Sequence, residues 1–138
     1  MSLNTEDRRN IVIYRLEKSL AAYEDATLNI GIKRWNVVAN RLYYAAYYAV
    51  SSLLIANGYF TKTHEGVIME FGLHFAKEGK VSKELARLYS KLYDLRITGD
   101  YNDHFNIEES DVLPFVEPAK ELIDTVSSMA KNILGIDN

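Results

Sequence analysis

The sequence predicts an all-α protein, an antiparallel bundle of four long helices plus one shorter helix. Three observations carry that expectation. Apolar residues recur at three- and four-residue steps through most of the chain, and no stretch alternates with period two. The breaks between periodic stretches fall at Gly31, at Asn57-Gly58, at Gly79 and between Asn102 and Asn106, where turn-forming residues gather. The chain has 138 residues and only two prolines, enough for one domain spanning 1–138 with a single core. Met1 to Asn4 is expected to fray.

The first helix is predicted from about Thr5 to Asn29, with Ile13, Leu16, Leu20 and Tyr23 inward and Gly31 as its stop. The second runs from about Lys33 to Asn57. Its core face is Val38, Leu42, Ala46, Ala49, Leu53 and Ala56, and the alanines let a neighbouring helix approach closely. The other side carries Asn40, Tyr43, Tyr44, Tyr47 and Leu54, with Arg41 and Tyr48 at its edge. A helix apolar or aromatic nearly all round is buried on more than one side, so this one is the centre of the bundle or of a dimer interface. Thr63 is placed to cap a third helix, His64 to about Glu78, with Ile68, Phe71 and Phe75 inward and Gly79 closing it. Ser82 caps the fourth, phased by Leu85, Leu88, Leu92 and Leu95. Asn106 and Glu109 stand in capping-box spacing before the last helix, whose stripe runs through Val112, Phe115, Val116, Ala119, Leu122, Ile123, Val126, Met129, Ala130 and Ile133. Pro114 and Pro118 give that helix an irregular first turn.

Composition narrows the chemistry. The net charge of −3 argues against a general grip on nucleic-acid backbone, though not against a local basic groove. The absence of cysteine removes disulfides and thiolate chemistry, and three scattered histidines make a poor zinc set, so no metal or other cofactor is expected. No apolar run approaches the length of a membrane span, and the expected location is the cytoplasm. Ten tyrosines are unusual, and four of them lie between Tyr43 and Tyr48.

The sharpest polar cluster is Arg96, Asp100 and Tyr101 at the end of the fourth helix. In the phase set by the leucines Arg96 leans toward the apolar stripe, beside Tyr89 and Tyr93, and a charge placed there needs a partner. Its plain reading is an i,i+4 ion pair with Asp100. Its functional reading is a bidentate grip on phosphate, with Asp100 orienting the guanidinium. His104 reads as a solvated loop residue, or as a proton carrier working with Arg96 on RNA. Thr61 to Gly66, which includes Lys62 and His64, forms a second polar knot at a helix N-terminus, explained largely by capping and otherwise suited to an anion. The tyrosines of the second helix are core or interface residues, or a stacking surface for bases, with Asn40, Arg41 and Tyr44 as the binding candidates.

Three segments together resemble HEPN domains: Ala39-Asn40-Arg41-Leu42-Tyr43-Tyr44-Ala45-Ala46-Tyr47, Lys62-Thr63-His64-Glu65-Gly66, and Asp94-Leu95-Arg96-Ile97-Thr98-Gly99-Asp100-Tyr101. The likeness is to the small stand-alone prokaryotic branch and covers about Trp35 to Ile133. It implies a bundle of four to five helices, a homodimer, and a polar site in a cleft at the dimer interface. Many proteins of this kind are ribonucleases, often toxins, with an arginine followed after four to six residues by a histidine. Others pair with a minimal nucleotidyltransferase, which in some pairs adenylylates a tyrosine just after the motif. Arg96 matches the family arginine, and Asp100-Tyr101 matches the Asp-Tyr of this branch. The histidine departs from the pattern, because seven residues separate Arg96 from His104.

Three functions follow for testing. The first is a nucleotide- or RNA-binding component of a toxin–antitoxin or nucleotidyltransferase-paired system, with its site at Arg96, Asp100 and Tyr101. The second is a metal-independent endoribonuclease using Arg96 with His104 or His64. The third is a helical scaffold whose tyrosine face docks a partner.

Overall fold

The computed structural model describes residues 4–102 and 104–137. Among them there are only helices and connections: α1 (Thr5–Gly31), α2 (Trp35–Ala56), α3 (His64–Phe71), α4 (Lys83–Tyr101), the one-turn α5 (Glu109–Val112) and α6 (Val116–Leu134). Four are long and α3 is the shorter fifth, so the expected bundle is the observed one. No helix of the described residues is long and apolar enough to cross a membrane.

α2 is the centre. It packs against α1, α3, α4 and α6, and Val38, Leu42, Ala46, Ala49, Leu53 and Ala56 are all buried as expected. Tyr43 and Leu54 on its other side are buried as well, which explains why no charged solvent stripe runs along it. Alanines and serines keep α1 and α2 close. Ala22, Ala26, Ala45 and Ala46 are buried, and the buried Ser19 hydroxyl donates to the Ala45 carbonyl at 2.6 Å.

The phase of α1 differs from the expectation. Val12, Leu16, Ser19, Ala22 and Ala26 form its buried face, while Ile13 and Leu20 are 40% and 56% exposed. Close approach to α2 favours the small residues over the larger aliphatic ones, so size rather than hydropathy chooses the face. Gly31 is not the left-handed stop. It ends α1 in helical conformation, and Lys33 takes the positive φ of 59°. Asn4 is not frayed either: its side chain accepts from the Asp7 N–H at 2.8 Å and caps α1. Residues 1–3 lie outside the described residues.

α1 also ties off two other helices. Arg8 donates to the Ala56 carbonyl at the end of α2, and Arg9 donates to the Leu134 carbonyl at the end of α6. Both guanidiniums sit where the last carbonyls lack intrahelical partners and the dipole favours a cation.

Thr63 and Ser82 cap α3 and α4 by accepting from the Gly66 and Leu85 N–H groups. α3 is shorter than expected. It passes into a π-helical turn over Gly72–Ala76, in which the Lys77 N–H reaches back five residues to the Gly72 carbonyl. Val67 rather than Ile68 joins Phe71 and Phe75 as its buried residues. α4 continues through Gly99 to Tyr101. A Cβ on Gly99 would stand 2.6 Å from Ile107, so the glycine lets the following loop close down there. Asn36 holds the same loop by accepting from the Ile107 N–H.

The entry to the last helix is irregular as Pro114 and Pro118 suggested: α5, a 3-10 turn at Leu113–Phe115, then α6. Its cap is Glu108 rather than Asn106, and Asp111 rather than Glu109 answers it by accepting from the Glu108 N–H. Along α6 the expected stripe is buried at Ala119, Leu122, Ile123, Val126 and Ala130 and partly buried at Met129, but it closes on Leu134 while Ile133 faces out.

Candidate functional site

The site lies where the middle of α2, the start of α3 and the end of α4 meet. Arg96 is held on three sides. Its Nε donates to Asp100 Oδ2 at 3.0 Å, and one terminal nitrogen donates to the Tyr44 and Tyr101 hydroxyls at 3.0 and 3.4 Å. The side chain is 11% exposed and its Asp100 partner 26%, so the pair is shielded but reachable. Burial works against the Arg96 charge, and the oxygens of Tyr44, Tyr101 and Asp100 outweigh it and favour the cation.

A second arginine joins through an amide bridge. Asn40 Nδ2 donates to the same Asp100 oxygen at 2.9 Å, while Asn40 Oδ1 accepts from Arg41 Nε and its terminal nitrogen at 3.0 and 2.8 Å. In the chain Arg41–Asn40–Asp100–Arg96, the Asn40 amide therefore links one arginine to the carboxylate that the other arginine binds. Both guanidinium carbons also stand 5.2 Å from the Tyr44 ring centre, the cation–π range. Tyr44 is thus braced by the two arginines, and Tyr101, 67% exposed, lies 5.4 Å from Arg96.

His64, not His104, stands in this neighbourhood. Its Nδ1 is 2.6 Å from the Tyr43 hydroxyl, and its ring packs 4.6 Å from that of Tyr47 and 5.8 Å from that of Tyr44. Tyr43 is fully buried, and burial pushes its phenol pKa up, so it keeps its proton. With that proton given to Nδ1, His64 carries its own on Nε2. Partial burial, then the Arg96 charge, lower the His64 pKa, and neighbouring Glu65 opposes them. The ring is therefore neutral at pH 7. Glu65 accepts from the Tyr93 hydroxyl at 2.6 Å, and that bond holds its carboxyl below the usual range.

The lowered His64 pKa has a definite sign for stability. Between the folded value and the ordinary value of about 6.5, the unfolded chain binds the proton and the folded chain does not. The contribution is complete above pH 6.5 and is lost as pH falls through the folded value. An NMR titration should give His64 a midpoint below the ordinary histidine value of about 6.5. The pH-dependent loss of stability in this window should shrink in His64→Gln.

The expected site residues thus divide into three groups. Arg96, Asp100, Tyr101, Asn40, Arg41 and Tyr44 form one bonded cluster, and His64 adjoins it through the tyrosine rings. Lys62 is exposed and lines a separate groove with Tyr47. His104 is exposed in the turn after α4, its backbone N–H donates to Asn102, and no contact joins its ring to Arg96 among the described residues. The Tyr43–His64 and Tyr93–Glu65 bonds have no local signal in the sequence. Only the i,i+4 spacing of Arg96 and Asp100 was readable as a pair, whereas these partners lie 21 and 28 residues apart. No group of three or more metal-ligating side chains occurs among the described residues.

A sequence model of the HEPN domain matches residues 12–130. A UPF0332 protein of Thermotoga maritima is 32% identical over 92% of this chain and 96% of its own. A protein of Methanocaldococcus jannaschii named "Putative toxin" is 31% identical over 96% of this chain and 97% of its own. A UPF0332 protein of Gloeobacter violaceus is 34% identical over 72% of this chain and 79% of its own. The family match spans most of the chain, including α2 with its tyrosines and the Arg96 end of α4, and the chain belongs to the HEPN domain family.

Proposed function

We propose that the Arg96 cluster binds the phosphate of a nucleotide or of an RNA end, as the recognition site of a toxin–antitoxin type component. The observation that carries this reading is the pairing of Arg41 and Arg96 over one tyrosine ring, linked through Asn40 and Asp100, the one carboxylate bonded to the cluster among the described residues. Two planar guanidiniums with a surplus positive charge suit a phosphate group, and exposed Tyr101 offers a face for the attached base. A short single-stranded RNA with a 5′-phosphate should bind at least tenfold more tightly than the same RNA with a 5′-hydroxyl. Equal affinities would remove phosphate-end recognition. The site is proposed to lie at a cleft between two copies, through the outer faces of α2 and α4. Light scattering at micromolar concentration should then give about twice the chain mass of 15.8 kDa. A value near the single-chain mass counts against the cleft.

One observation favours a second reading as a metal-independent endoribonuclease. A neutral His64, with Nδ1 bonded to Tyr43 and its proton on Nε2, sits beside the arginine cluster. In that reading His64 supplies the proton transfer and Arg96 the charge on the transition-state phosphate. Incubation of a mixed RNA pool in chelator decides it. Cleavage abolished by both Arg96→Ala and His64→Gln supports it, and no cleavage, or cleavage indifferent to either change, removes it.

A further inference from the structure

A groove of about 300 Å³ opens between α1, α2 and the loop leading to α3, with Tyr47 as part of its wall and no residue of the arginine cluster in its lining. Its walls are unlike an ordinary surface crevice. Arg15 and Lys62 stand at its edges, Tyr47, Tyr59 and Phe60 supply three aromatic rings, and no carboxylate lines it among the described residues. Several of these groups are held in place. Arg15 donates to the Ser51 hydroxyl at 3.0 Å. Tyr59 lies flat on His74, with ring centres 4.0 Å apart and planes 8° from parallel, and Glu70 holds His74 at 2.7 Å. Phe60 is half-exposed at the rim. Tyr47 belongs to the groove and also packs against His64, so one ring joins the two places.

We infer that this groove is a second nucleotide station, taking the base and phosphate that follow, along a single strand, the nucleotide held at Arg96. Fixed aromatic rings with cations at their edge and no competing carboxylate match what single strands need, because every base offers a stacking face and every linkage a charge. The route is continuous through aromatic neighbours. Arg96 is 5.2 Å from the Tyr44 ring, Tyr44 is 6.1 Å from Tyr47, and Tyr47 opens into the groove. The volume is that of a small ligand site and admits one nucleotide rather than a folded RNA element. This inference rests on the reading of Arg96 as a phosphate site and extends it from an end-binding pocket to a strand-reading track.

Graded oligonucleotides test it by fluorescence anisotropy. The probes are 5′-AMP and 5′-phosphorylated oligoadenylates of two and six nucleotides. The variants are Phe60→Ser and Lys62→Glu, both at exposed positions, with Arg96→Ala as the reference and the melting temperature of each as a folding control. The groove predicts that Phe60→Ser and Lys62→Glu weaken the six-nucleotide probe roughly tenfold, a typical loss for one stacked base. They leave 5′-AMP binding unchanged, whereas Arg96→Ala weakens every probe. Lys62→Glu should also flatten the dependence of log affinity on log salt by about 0.7 or more, the share of one single-strand phosphate contact. Arg96-dependent binding that ignores both groove changes would overturn the second station and leave the Arg96 site standing. Failure of all probes to bind would overturn both. Groove-dependent binding of 5′-AMP itself would make the groove the primary site and contradict the track.

Discussion

Replacing Arg96 by alanine is expected to weaken binding of a 5′-phosphorylated oligonucleotide by roughly 10- to 100-fold, the loss that follows removal of a charged hydrogen-bonding group from its partner. The side chain offers a planar fork, one edge of which is already fixed by Asp100 and the tyrosine hydroxyls. A phosphate would therefore meet a guanidinium that does not have to be ordered on binding. Arg96→Lys should recover little, because an ammonium keeps the charge but cannot hold Asp100 and a phosphate in one plane. The cost to stability should be small by comparison. Asp100 keeps its Asn40 bond when Arg96 is removed, and the pair is partly exposed. Its loss should amount to about 1 kcal/mol once solvent screening is allowed for. Urea denaturation beside the binding measurement separates the two effects. A stability loss above roughly 3 kcal/mol with unchanged affinity would make Arg96 a structural residue.

The largest stability effect should come from the middle of α2. Leu53 is fully buried on the face predicted for the core, and α2 is enclosed by four other helices. Truncation to alanine leaves a cavity that surrounding helices cannot collapse into without breaking their own packing. The expected cost is about 2–5 kcal/mol, against a typical total of roughly 5–15 kcal/mol for a domain. Tyr89 supplies the contrast. It is also fully buried, but its hydroxyl makes no hydrogen bond among the described residues. Tyr89→Phe therefore keeps the packing and removes an unsatisfied polar atom, and it should be neutral or mildly stabilising. Equal losses for the two variants would contradict this account of the core.

The helices were legible because their signals are local. Thr63 and Ser82 announce the starts of α3 and α4, and the leucines of α4 set the phase that turned Arg96 inward. The phase of α1 departs from its hydropathy pattern because its packing face is chosen by closeness to α2. Nothing local tells that Ala22 and Ala26 will be buried and Leu20 left 56% exposed. The same distinction runs through the site. Arg96 and Asp100 stand one helical turn apart and could be read as a pair, and Tyr101 follows directly. The Asn40 bridge, 60 residues from Asp100, depends on how α2 and α4 cross. So does the choice between histidines. His104 looked near Arg96 along the chain, yet α3 brings His64 to the tyrosine rings, and only tertiary packing decides that.

Arg41, Asn40, Asp100 and Arg96 are proposed to act together as one phosphate site. The most direct test is an NMR titration with a 5′-phosphorylated dinucleotide, following the arginine Nε–H and asparagine side-chain amide resonances of the ¹⁵N-labelled protein. If the account is right, Arg96 Nε, Arg41 Nε and Asn40 Nδ2 shift together and saturate with one dissociation constant, and a dinucleotide lacking the 5′-phosphate moves them far less. Binding that leaves these three resonances unmoved, or no binding at millimolar dinucleotide, would contradict it.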